Sequence, residues 1–131
     1  MINIFRSIPV YIKIYLNKIE ITNIKTDQTV SKSSPTKFSS SRLIVADFNV
    51  ANKLIFEILK ELGLTRRTLK VLIQQMDVFG DELSETEKRV LRDLSEQAGA
   101  SDVNIVNRKK VMSKNEIQEF LKLKYFENIT K

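Results

Sequence analysis

The stretch that most limits what this chain can fold into runs from Leu69 to Val106. It opens with Leu-Lys-Val-Leu-Ile-Gln-Gln-Met, an apolar strand pattern ending at Met76. Val71, Leu72 and Ile73 make that pattern nearly continuous, as in a strand covered on both faces. After an acidic loop, Ser84-Glu85-Thr86-Glu87 has the spacing of a capping box and opens a helix. Leu83, Val90, Leu91, Leu94 and Ala98 supply its apolar stripe, and Gly99 stands where helices close in a left-handed residue. Asp102 to Val106 is the next strand pattern. Two strands joined through a helix of this length lie parallel, with a right-handed crossover.

The preceding half adds an antiparallel meander. Val10, Ile12, Ile14 and Leu16 alternate with Tyr11, Lys13 and Tyr15, which predicts a strand over 10–16. Asn17-Lys18 suits a two-residue hairpin turn. Ile19, Ile21 and Asn23 then form one face of a second strand. Thr26-Asp27 reads as another tight turn, and Gln28 to Ser31 as a short third strand. The serine-rich segment 31–41 reads as a flexible loop. Asp47 or Asn49 caps a first helix that buries Ala51, Leu54, Ile55, Ile58, Leu59 and Leu62, closed by Gly63. A second capping-box spacing, Ser113 to Glu116, opens a third helix through Leu123 that buries Ile117, Phe120 and Leu121. Residues 125–131 are expected to fray.

The order is β-β-β-α-β-α-β-α: an α/β fold with a mixed five-stranded sheet, within a single domain over 1–131. A chain of 131 residues suffices for one core. It has no cysteine and no histidine, which removes thiolate chemistry, the commonest general base and the commonest metal ligand. No apolar run approaches the roughly 20 residues of a membrane span. The start, Met-Ile-Asn-Ile-Phe-Arg-Ser-Ile-Pro, is too short and polar for a secretory signal, so a cytoplasmic protein is the expectation. Charge is uneven. Residues 1–70 carry 12 Lys and Arg against 5 Asp and Glu, residues 71–107 carry 3 against 8, and residues 108–131 carry 7 against 3. The basic first half could favour an anionic partner, although a solvated face is the plainer reading.

Two separated motifs carry a family resemblance. Leu83-Ser-Glu-Thr-Glu-Lys-Arg-Val-Leu-Arg-Asp-Leu-Ser-Glu-Gln-Ala-Gly-Ala-Ser-Asp-Val-Asn-Ile-Val106 resembles the bacterial-actin segment Ile-Thr-Glu-Val-Glu-Lys-Arg-Ala-Val-x-Glu-Ala-Ala-x-Gln-Ala-Gly-Ala-Arg-Glu-Val-Tyr-Leu-Ile. Leu43-Ile-Val-Ala-Asp-Phe-Asn-Val50 is similar to that family's Val-Ile-Ala-Asp-Phe-Asp-Val. The family is that of the MreB-like rod shape-determining proteins, and the likeness covers about residues 42–106. It implies a ribonuclease H-like, actin-like ATPase subdomain in a cell-shape or cytoskeletal protein.

The departures bear on function. Family members grip phosphate and metal with a glycine-containing hairpin of Asp-Leu-Gly-Thr type. Here that hairpin is Ile12-Lys-Ile-Tyr-Leu-Asn-Lys18, with no glycine before Gly63 and no aspartate before Asp27. The family's Glu-Pro-rich segment is replaced by Asn107-Arg-Lys-Lys-Val-Met112, and no counterpart of the second lobe is expected within these 131 residues. The resemblance therefore implies one actin-like lobe without the family's means of holding ATP. No cofactor and no metal is expected, and no catalytic residue.

Glu87 matches the family's water-orienting glutamate. As the N3 residue behind Ser84 it reads as a helix cap rather than a catalytic group, since no phosphate site accompanies it. Asp77, Asp81, Glu82 and Glu85 lack the alternation of a calcium loop. Arg66-Arg67 with Lys70, and Arg108-Lys109-Lys110, have no interleaved aromatic residues for stacking on nucleic acid. Ile2, Phe5 and Ile8 could form an apolar face, but one of barely two turns before Pro9, short for a membrane anchor. The expected function is a non-catalytic interaction module acting by self-association, as in a homodimer, or by docking to a cytoskeletal protein. The alternatives are a basic nucleic-acid-binding domain and a residual nucleotide-binding protein.

Overall fold

In the computed structural model, residues 7–40, 43–77, 82–108, 110–121 and 129–130 are described. The elements run β1 (Ile8–Tyr15), β2 (Lys18–Asn23), β3 (Gln28–Ser33), α1 (Phe48–Glu61), β4 (Leu69–Gln75), α2 (Glu85–Ala98), β5 (Ala100–Asn107), α3 (Lys114–Leu121) and β6 (Ile129–Thr130). One mixed sheet has the order β3-β2-β1-β4-β5-β6. β1, β2 and β3 form the antiparallel meander, whereas β4 pairs parallel to β1, and β5 parallel to β4.

The five strands expected from the sequence are present, and a short sixth joins them. Ile129–Thr130, within the tail expected to fray, pairs parallel with Val106 and Asn107, while residues 125–128 and 131 lie outside the described residues. The reason is that β5 would otherwise leave its outer backbone groups unpaired at that end.

Helices cover both faces of the sheet. Val10, Ile12, Ile14, Ile19, Ile21, Val71, Ile73 and Ile105 face α1 and α2 and form the main core with them. Tyr11, Leu72 and Val106 point the other way, against Met112 and Ile117 of the α3 region. Burial on both faces is why β4 reads as a continuous apolar run rather than an alternating one.

Helix ends follow the local sequence. The Asp47 side chain accepts from Val50 N, making Asp47 the α1 cap, and Gly63 adopts φ 72° beyond the C-cap. Ser84 and Glu87 form a complete capping box on α2. Gly99 closes α2 at φ 111°, and a Cβ there would meet the Arg67 carbonyl at 3.0 Å. Ser113 and Glu116 cap α3 reciprocally, at 2.9 and 3.2 Å. α3 ends at Leu121, and the expected continuation to Leu123 lies outside the described residues.

The meander shifts by one residue from the sequence expectation. Tyr15 pairs with Lys18, so the hairpin turn is Leu16-Asn17 rather than Asn17-Lys18. Asn17 takes φ 53°, which asparagine tolerates better than leucine. Leu16 is thereby 48% exposed instead of extending the buried face of β1. The second turn spans 24–27, with Asn23 paired to Gln28, and its side chain accepts from Lys25 N at 3.0 Å.

The serine-rich segment is also more structured than expected. Ser31 to Ser33 belong to β3, and Phe38 is buried in the main core. The Asn17 side chain accepts from Phe38 N at 2.9 Å and from Ser39 N at 2.8 Å, which ties the segment to the hairpin. Residue 41 lies outside the described residues.

Candidate functional site

In parallel sheets, ligand crevices form beyond the carboxyl ends of the strands. Here β1 and β4 end together at Tyr15 and Gln75, and α2 starts at the same end. The Leu16-Asn17 turn, the loop through Ser39 and Val45, residues 76–77 and the first turn of α2 surround that point.

The hairpin turn is the place where a phosphate-binding hairpin would present free N–H groups. Both of its N–H groups are engaged within the chain. Leu16 N donates to Asp77 Oδ2 at 2.8 Å, and Asn17 N donates to Ser39 Oγ at 3.0 Å. The Ser39 hydroxyl in turn donates a hydrogen bond to the Ile44 carbonyl. Asp77 reaches the turn because the β1–β4 pairing continues past the strands, with Met76 N donating to Ile14 O at 2.7 Å. A carboxylate thus sits where an incoming phosphate oxygen would seek the Leu16 amide. An anion placed there would have to displace one already bonded.

Glu87 lies beside this point. Its Oε1 accepts from Ser84 N at 2.9 Å, and its Oε2 accepts from the Gln75 amide at 3.3 Å. Ser84 Oγ in turn accepts from Glu87 N at 3.1 Å. Both carboxylate oxygens are therefore engaged in holding the helix start and the end of β4. Leu43, Val45, Gln75, Thr86 and Val90 surround Glu87 in a cleft of about 30 Å³. Small-molecule pockets take roughly 300 Å³ or more, so this cleft has room for water and not for a nucleotide.

The remaining candidates are dispersed. Asp77 and Glu85 stand apart in function, Asp77 on the hairpin and Glu85 paired with Lys88 at 3.4 Å, while Asp81 lies outside the described residues. Among the described residues, no group of three or more acidic side chains could hold a metal ion. Arg108 does not present itself to a phosphate. Its guanidinium makes a bidentate pair with Glu116 at 2.6 and 2.7 Å and donates to the Lys110 carbonyl at 3.0 Å. That pairing raises the Arg108 pKa and pulls Glu116 down to about 2, helped by the Ser113 backbone N–H. Lys109 lies outside the described residues, as do Ile2 and Phe5. Ile8 is the first residue of β1 and packs against the core, so it does not belong to an N-terminal amphipathic helix. Among the described residues, no helix is long and apolar enough to cross a membrane.

On the α3 face a buried polar network holds the β5–α3 connection. Tyr11 donates its hydroxyl proton to Gln74 Oε1 and accepts from Met112 N at 3.1 Å. The Gln74 amide donates to the carbonyls of Arg108 and Lys110 at 2.9 and 2.8 Å. Burial pushes the Tyr11 pKa up to about 12, against the lowering effect of the Met112 bond. The fully buried Asn104 lies on the same face, opposite Leu72 in the β4–β5 register, and among the described residues neither polar atom of its side chain has a hydrogen-bond partner.

Comparison with protein-family models, with curated proteins and with solved structures gives no match to this chain.

Proposed function

We propose that this chain is a non-catalytic interaction module of the bacterial-actin type, related to rod shape-determining proteins. It acts by self-association or by docking to a cytoskeletal partner in the cytoplasm. The reading starts from the two motifs at 43–50 and 83–106. An antiparallel meander extended by parallel strands, with helices on both faces, is the architecture that an actin-like, ribonuclease H-like lobe requires. The observation that carries the non-catalytic half is the closed hairpin turn, where Asp77 and Ser39 take the Leu16 and Asn17 amides. Glu87, in the position of the family's water-orienting residue, serves as a cap, and the cleft it lines among the described residues holds about 30 Å³. A scaffold of this kind retains its surfaces for protein contacts while lacking the means to grip phosphate.

Sedimentation of the chain alone, and co-pelleting with filaments of a bacterial actin, tests the reading. Either a dimer or co-pelleting is expected. A strict monomer with no affinity for filaments would overturn it.

A further inference from the structure

Among the described residues the sheet ends at β3. Among the described residues, β3 pairs only with β2. The two-residue turn makes Tyr15 and Lys18 the hydrogen-bonded pair that closes the hairpin, and such pairs alternate along an antiparallel ladder. Carried across β2, the alternation assigns the backbone groups of Gln28, Val30 and Lys32 to the β2 ladder. Thr29, Ser31 and Ser33 then turn their N–H and C=O groups outward, and all three residues are exposed.

Proteins guard such edges with lysine, proline or bulges. β3 contains no proline, and its register with β2 is unbroken. Its one charged residue, Lys32, is drawn onto α1 by an ion pair with Glu61, a bond that also raises the lysine's pKa. The edge is locally neutral in a chain of net charge +6, so two copies can approach there without repulsion from the strand itself.

The geometry points to β3 as a self-pairing edge that joins two copies of this chain antiparallel, with the two-fold axis at Val30. In this register Val30 faces Val30 of the second copy, Gln28 faces Lys32, and Thr29 faces Ser31. No like charges oppose one another. Thr29 and Ser31 form the hydrogen-bonded pairs, which gives the outward groups of these two residues a partner. Val30, half-buried against the main core, extends that apolar layer across the axis. The pairing joins the two sheets into one continuous sheet by strand addition. It rests on the self-association half of the proposed function and specifies the surface used.

Single cysteine variants test the register, because the chain has no cysteine of its own. In a non-hydrogen-bonded antiparallel pair the Cα atoms lie about 4.5 Å apart, within disulfide reach. Full-length Val30→Cys is therefore expected to form a disulfide-linked dimer under mild copper-phenanthroline oxidation, and Gln28→Cys is not. Ser31→Pro removes an outward N–H at a position where an edge strand accepts proline. It should weaken the sedimentation dimer roughly tenfold or more while its circular dichroism stays unchanged. A sedimentation dimer with no Val30→Cys cross-link, or with full resistance to Ser31→Pro, overturns this pairing and leaves self-association standing. A strict monomer overturns both this pairing and self-association, leaving filament docking to the co-pelleting assay.

Discussion

Replacing Tyr11 with phenylalanine should expose how much the α3 face depends on one hydroxyl. The ring stays, so packing against Leu72, Met112 and Ile117 is retained. What is lost is the acceptor for the buried Met112 N–H, now at 3.1 Å, and the donor to Gln74. An orphaned buried donor or acceptor costs about 1–3 kcal/mol, and here the Met112 N–H and the oxygen of the fully buried Gln74 both lose their partner. A loss of about 2 kcal/mol or more is expected, which for a chain of this length lowers Tm by at least about 7 °C. The pH response gives a second readout. Tyr11 in the folded chain is pushed up to about 12, so the folded state keeps a proton that the unfolded state gives up at its lower, ordinary value. That contribution is whole below pH ~10 and disappears as pH rises from about 10 to 12. Urea unfolding of both forms across this window should show a steeper alkaline decline in the wild type than in Tyr11→Phe. A destabilisation below about 0.5 kcal/mol, with identical alkaline slopes, would refute the reasoning.

Three further substitutions probe other parts of the account. Glu87→Ala removes half of the α2 capping box and the Gln75 contact, and should cost about 1–2 kcal/mol by urea unfolding; no loss would mean the box adds nothing. Asn104→Leu replaces a buried amide that has no partner among the described residues by an apolar group of similar size, and should raise stability by about 1 kcal/mol; a lower urea midpoint would show that the amide has a partner. Glu116, held down to about 2 by Arg108, stabilises the fold above the ordinary carboxylate value and loses that contribution as pH falls from about 4.5 towards 2. Acid unfolding of Glu116→Gln should be flatter than that of the wild type in this window, and parallel curves would count against the pairing.

Much of the fold was legible because several local signals agree. The capping boxes at Ser84 and Ser113 and the closing glycines fix helix ends through backbone groups that sequence spacing reveals directly. Strand patterns located the meander and the parallel strands. The hairpin register differs by one from the sequence pattern because Leu16 continues the apolar alternation, whereas the turn needs an asparagine at positive φ in its second position. Only with Leu16 in the turn do its N–H and Asp77 come together, across 61 residues of sequence. No local pattern announces such a pair. The polar Gln74 and Gln75 inside an apolar strand were the available signal, since a buried amide needs partners, and both serve as anchors, one to the β5–α3 connection and one to Glu87. Phe38 within the serine-rich segment gave a similar hint that this stretch packs down. The sixth strand left no trace, because two residues carry no periodicity.

Calorimetric titration of Mg-ATP into the full chain tests most directly whether the hairpin has lost its hold on phosphate. The account predicts no saturable heat, because the two turn amides are already bonded to Asp77 and Ser39. A saturable isotherm with one nucleotide per chain would contradict it.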